Sequence, residues 1–191
     1  NRGDGCFILQ STDGAAFTTV NSGSGKYNEF KTCYTNCSIY AEGKYVVVGD
    51  AAKNGSKHSI FWSEDGIDWE SSALPFTETN CFFIAYGAGT FCVTGYASWA
   101  RLWMNTDGSL RTWTENLSWK NTGFTGNTGG HYPLFFLGDN FLSFASATTN
   151  GLQLHNYSKV GSMQWELIPP TAMNGYGECG FTNPYAFNLV N

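Results

Sequence analysis

The stretch Phe61-Trp62-Ser63-Glu64-Asp65-Gly66-Ile67-Asp68-Trp69 narrows what this chain can fold into more than any other. An apolar run enters Ser-x-Asp-Gly, reverses, and leaves through a tryptophan. The glycine supplies the positive φ that a tight reversal needs, while the Ser and Asp side chains hydrogen-bond turn amides. The exit indole then packs back over the turn. One copy would be an ordinary β-hairpin. The pattern recurs at Ser11-Thr12-Asp13-Gly14 with Phe17 as exit aromatic, and in stretched form from Asn105-Thr106-Asp107-Gly108 to Trp113. A worn copy runs from His155-Asn156-Tyr157-Ser158 to Gln164-Trp165-Glu166. The exit aromatics Phe17, Trp69, Trp113 and Trp165 are spaced by 52, 44 and 52 residues, close to the roughly 40–50-residue period of four-stranded repeat units.

A second shared pattern precedes each later hairpin: apolar strand, Gly turn, apolar strand. It reads Ser38-Ile39-Tyr40-Ala41-Glu42-Gly43-Lys44-Tyr45-Val46-Val47-Val48-Gly49, then Phe82 through Gly87-Ala88-Gly89 to Gly95, then Leu134 through Gly138-Asp139 to Phe144. Each repeat is therefore strand, Gly turn, strand, variable loop, strand, Asp-Gly turn, strand. That order predicts an all-β chain of four-stranded antiparallel blades, a small β-propeller. The expected blades are 37–75, 81–117 and 131–170, with a fourth assembled from 1–20 and 177–191. Residues 181–190 match the first two strands of a blade and residues 5–10 the third, so the two ends are expected to complete one blade and close a ring of four, which removes exposed sheet edges. A window cut from a longer propeller is the competing expectation.

Composition limits the function classes. With 191 residues, 42% hydrophobic and 13% charged, the chain has the apolar content for one sizeable core. A net charge of −5 and only 10 scattered Lys and Arg lack the basic stripe that nucleic acid requires, and give no attraction for an anionic membrane. No apolar run approaches the ~18 residues of a spanning helix. The six cysteines permit three disulfides or buried free thiols alike. Cys33 and Cys37 do not have metal-site spacing, nor do His58, His131 and His155. No cofactor or metal is expected. The first residue is Asn rather than Met, which reads as a processed or excised chain.

The hairpins resemble the Asp boxes, or sialidase-type repeats, of β-propeller proteins, and the Gly-turn strands feeding them are similar to those of bacterial and phage proteins that carry such repeats. The resemblance implies the propeller fold and a structural role for the box, away from any catalytic pocket. Sialidases depend on three arginines, an Arg-Ile-Pro-like segment and a Tyr-Glu pair. This chain has Arg2, Arg101 and Arg111, the last inside a box turn, and no Arg-Ile-Pro. Other glycoside hydrolases need two carboxyls roughly 5–9.5 Å apart across a sugar. The acids here, Glu64, Asp65, Asp68, Glu70, Glu115 and Glu166, recur at box and exit-strand positions. A non-enzyme is the expectation, with glycoside hydrolase as a distant alternative.

Strand parity locates a binding site. The Gly turns and Asp-Gly turns share one end of the sheets; the variable segments 49–59, 95–101, 145–151, 21–36, 71–80, 116–131 and 170–178 share the other. Binding residues concentrate in such loops on a rigid scaffold. Trp99 and Trp119 have no counterparts in the other repeats, unlike Trp69, Trp113 and Trp165. Sugar recognition combines a flat ring with a few hydrogen-bonding groups. The candidate ligand-binding set is accordingly Asp50, Tyr96, Trp99, Arg101, Trp119 and His131, with the alternative that a tryptophan plugs a gap between blades. The leading expectation is a lectin-like or adhesin-like module, extracellular or on a virion surface, that binds a glycan or surface receptor. The alternative is an architectural or decoration subunit partnered by neighbouring subunits.

Overall fold

The structure is a computed structural model that describes residues 8–20, 23–50, 57–76, 80–97, 99–121, 133–147, 151–157 and 164–167. It is dominated by β-strands. β1 (Ile8–Gln10) and β2 (Thr18–Val20) form a hairpin, followed by the short β3 (Ser24–Gly25) and helix α1 (Tyr27–Thr32). Two four-stranded antiparallel meanders come next: β4 (Tyr34–Ala41), β5 (Lys44–Asp50), β6 (His58–Ser63), β7 (Asp68–Ala73), then β8 (Asn80–Gly87), β9 (Thr90–Ala97), β10 (Trp99–Asn105), β11 (Thr114–Glu115). Helix α2 (Leu117–Asn121) leads to a third, β12 (Leu134–Leu137), β13 (Asn140–Ala147), β14 (Gly151–Tyr157), β15 (Trp165–Leu167). The expected completion of the first hairpin by residues 177–191 lies outside the described residues.

All four hairpins share one register. The residue before the turn motif pairs with the residue after the exit aromatic: Gln10 with Thr18, Trp62 with Glu70, Met104 with Thr114, and Asn156 with Glu166. The worn copy thus keeps the pairing although it has lost Asp-Gly. The Gly turns repeat equally closely. Glu42-Gly43 and Ala88-Gly89 are two-residue connections with positive φ at both positions, the geometry that matches the twist of the flanking strands.

Period-two alternation explains the stacking. In β5 and β6, Val46, Val48, Ile60 and Trp62 pack against the second meander's Ile84, Phe91, Val93 and Trp103. Their alternating neighbours Val47 and Phe61 face the other way, onto Phe30, Tyr27 and Trp69, with Ile8 and Val20 of the first hairpin. In the second meander, Cys92, Leu102 and Met104 face the third, meeting Leu134, Phe141 and Trp165. Each central sheet is buried on both faces, so both alternating sets are apolar.

Several expected loops are shorter or more ordered than anticipated. The 21–36 segment contains β3, α1 and the start of β4, and 116–131 contains α2. The 95–101 loop reduces to residue 98, because β9 and β10 pair up to Ala97 and Trp99. Tyr96 and Arg101 are therefore strand residues. The ladder of β9 and β10 continues past Gly95 and Arg101 and pairs the backbone groups that a loop would leave open.

A repeated β-bulge imposes a glycine. The register shifts between Thr35 and Cys37 opposite Gly49, and between Cys81 and Phe83 opposite Gly95. A Cβ at Gly49 would sit 2.3 Å from the Tyr34 carbonyl oxygen, and one at Gly95 2.3 Å from that of Asn80. Backbone cannot yield as a side-chain tip can. Gly95→Ala is therefore expected to cost about 1–3 kcal/mol, measured as a lowered urea midpoint at unchanged m-value.

Candidate functional site

The chemistry of the turns decides whether their carboxylates are available. In the second hairpin, Asp65 Oδ1 accepts from the amides of Ile67 and Asp68, both at 2.8 Å, and Ser63 Oγ accepts from the Gly66 amide at 2.8 Å. The Trp69 indole donates to the Gly66 carbonyl at 3.1 Å. In the first, Asp13 Oδ1 accepts from Ala15 and Ala16 at 2.8 and 2.9 Å. The stretched copy substitutes Asn105, whose Nδ2 donates to Asp107 Oδ1 at 2.7 Å and to the Thr112 carbonyl at 2.9 Å. Its two extra residues are absorbed by a positive φ at buried Leu110, whose carbonyl receives the Trp113 indole at 2.9 Å. That indole also reaches Ser72 of the first meander at 3.1 Å.

These bonds favour the charged carboxylate. Amides of Asp68 and Ile67 hold the Asp65 carboxyl below its ordinary 3.8, and those of Ala16 and Ala15 do the same for Asp13. Asp107 is lowered by Ser109, through its hydroxyl and its amide. A depressed folded-state pKa gives stability that is present above 3.8 and is lost as pH falls through the folded value. Asp65→Asn keeps an acceptor oxygen that does not titrate. Its melting temperature is expected to fall less than that of the wild type between about pH 5 and pH 2.5, read by thermal scans across pH.

The sequence-predicted site residues divide sharply. Trp119, on α2, is 0% exposed and packs with Leu102, Met104, Leu134, Phe141 and Trp165. It fills the space between the second and third meanders, the gap-plugging alternative, and is not a surface platform. The Asn116 side-chain oxygen caps α2 by accepting from the Trp119 amide at 2.9 Å. Trp119→Ala is expected to cost about 3–5 kcal/mol through the cavity it leaves, a loss visible in chemical denaturation. Arg101 is also committed: its guanidinium lies 2.5 Å from Glu115 and 3.8 Å from the Phe76 ring centroid. It ties β10 to β11 and to the segment after β7. The backbone of Trp99 begins β10 opposite Ala97; its side chain and all of His131 lie outside the described residues.

Asp50 and Tyr96 do come together. One transverse row crosses four strands at the loop end: Tyr34 pairs with Asp50, Asp50 with Asn80, and Asn80 with Tyr96. The Asp50–Asn80 pairing is the bridge between the first and second meanders. All four residues are half-buried. The Asn80 Oδ1 in the middle of the row is buried without a hydrogen-bond partner among the described residues. Sequence reading found Asp50 and Tyr96 in this row and missed Tyr34 and Asn80, because pairing between repeats leaves no periodic signal.

A cleft of about 560 Å³ opens at the other end, between the first hairpin and the first meander. Its lining includes Gln10, Ser38, Tyr40, Tyr45, Asp65 and Trp69. The alternation that sends Val46 into the core sends Tyr45 and its cross-strand partner Tyr40 to this side.

Among the described residues, other titratable groups make contacts that fasten one element to another. His58 Nδ1 and Lys26 both contact the Glu29 carboxylate at 2.6 Å, fastening α1 to β6. Cys33, Cys37, Cys81 and Cys92 are not in disulfides, and burial pushes the thiols of Cys81 and Cys92 well up, so both stay neutral. Cys6 and Cys179 lie outside the described residues. Asn116 is buried, and the Asn36 side-chain amide donates to the Cys81 carbonyl at 2.7 Å, linking β4 to β8.

No family model matches the sequence, and no curated protein matches it. Among solved structures the chain is similar to YCF48 from Cyanidioschyzon merolae, with a TM-score of 0.46 and 15% identity over 84% of this chain. That match covers 48% of the other protein, so the chain spans about half its length.

Proposed function

We propose that the chain is a β-propeller module of the Asp-box type that binds a surface glycan at its loop end without transforming it. The architectural part is supported by four hairpins in one register and three four-stranded meanders stacked face to face. The non-catalytic part is supported by the state of the acids. Asp13, Asp65 and Asp107 are spent on turn amides and held ionised, the wrong state for a general acid.

The observation that carries the binding reading is the row Tyr34, Asp50, Asn80, Tyr96. It places two phenol rings, a carboxylate and an amide across adjacent strands, so the sheet fixes their spacing before any ligand arrives. A buried acceptor costs about 1–3 kcal/mol unless it is satisfied. A side-chain rotation that brings Asn80 Oδ1 out to a sugar hydroxyl recovers that cost on binding. The test is a glycan array with wild type, Tyr96→Ala, Asn80→Ala and Trp99→Ala. At least one glycan is expected to bind, with about tenfold weaker binding for Tyr96→Ala and Asn80→Ala at unchanged melting temperature. A wild type that binds no glycan, or variants that bind like it, would sink the reading.

An architectural subunit is the second reading, favoured by one observation. Phe17, the counterpart of buried Trp69 and Trp113, is 59% exposed, and Leu9 beside it is 52% exposed. A neighbouring subunit would cover that hairpin. Light scattering showing a monomer at micromolar concentration would count against it.

A further inference from the structure

We infer that the cleft between the first hairpin and the first meander is a second binding site, one that takes a neutral saccharide. It goes beyond the loop-end site and shares no residue with it. Tyr40 and Tyr45 form its platform. They are directly opposed across β4 and β5, with ring centroids 4.8 Å apart and planes at 51°. At 64% and 47% exposed they present open ring surface, yet the ladder fixes their positions. Rings held in this way meet the C–H faces of a pyranose with little ordering cost.

The polar groups around that platform are uncommitted. Among the described residues, the hydroxyls of Tyr40, Tyr45 and Ser38, the side-chain amide of Gln10 and the Asp65 oxygen not used by the turn have no hydrogen-bond partner. Together they offer donors and acceptors around a ring surface, the combination that reads sugar hydroxyls. Charge then selects among sugars. The described lining carries one carboxylate, Asp65, and no Lys, Arg or His. An acidic sugar brought there would lose its hydration beside a like charge, with no cation to offset the loss. A neutral sugar meets no such penalty. The volume, about 560 Å³, lies within the roughly 300–1,000 Å³ of small-ligand clefts.

The test uses the full chain and four soluble probes: lactose, maltose, chitobiose and the acidic comparator sialyllactose, followed by saturation-transfer NMR and calorimetry. At least one neutral disaccharide is expected to bind. Tyr40→Ala and Tyr45→Ala should each weaken it about tenfold or more, with unchanged melting temperature because both rings are exposed. Tyr96→Ala should leave that binding intact. The inference is overturned if no neutral disaccharide binds, if sialyllactose binds as tightly, or if neither tyrosine matters. Tyrosine variants that lower the melting temperature without touching sugar binding would overturn it too, since the chain's own residues would then fill the cleft. Failure here is separable from failure at the loop end: array binding that is lost in Tyr96→Ala and kept in Tyr40→Ala preserves the proposed function while removing this site.

Discussion

Everything in this fold depends on sheets that are buried on both faces. Val46 and Val48 look toward the second meander while Val47 looks toward the first hairpin, and the same division separates Trp103 from Leu102 and Met104. With inner strands such as β5 and β6 dry on both faces, the wet parts of a meander are its outer strands and its two ends. Reversals at those ends must satisfy their own amides, and Ser63 with Asp65 does so without outside help. The buried face also tolerates no stray Cβ where a strand bulges, which is why Gly49 and Gly95 occupy equivalent places in successive repeats. Bonds between repeats add specificity: the Trp113 indole reaches Ser72, Tyr86 reaches Glu42, and Arg111 reaches Glu70.

The two ends of the sheets then acquire different characters. At the turn end the polar side chains are consumed by the backbone, except where the first hairpin stands beside Tyr40 and Tyr45 and a cleft is left between them. At the loop end the first and second meanders are stitched by a single bridge at Asp50 and Asn80, and side chains of both repeats are drawn into one line. Sequence reasoning placed function at the loop end alone, on the ground that turn residues serve the turn. For Asp13 and Asp107 that is what the hydrogen bonds show. Asp65 serves the turn with one oxygen and is also one of the residues that line the cleft.

What the sequence determined by itself was everything that repeats. The hairpins, the two-residue Gly turns and the strand order of each meander follow from local chemistry copied along the chain, and even the worn copy at Tyr157 and Trp165 keeps its register because strand pairing needs only alternation. The features that do not repeat were decided by tertiary structure. Trp99 and Trp119 looked alike as aromatics outside the pattern, yet packing put Trp119 at the centre of a core, because α2 folds back over the face of the second meander and its ring fills the space beside Leu102 and Met104. Arg101 looked like a free cation until Glu115 and Phe76, distant in sequence, were brought against it. The partnership of Asp50 with Asn80 and the cleft beside Tyr40 and Tyr45 belong to the same class. Each arises where two repeats meet, and the relative placement of repeats is set by how their faces interlock, which no single stretch of sequence encodes.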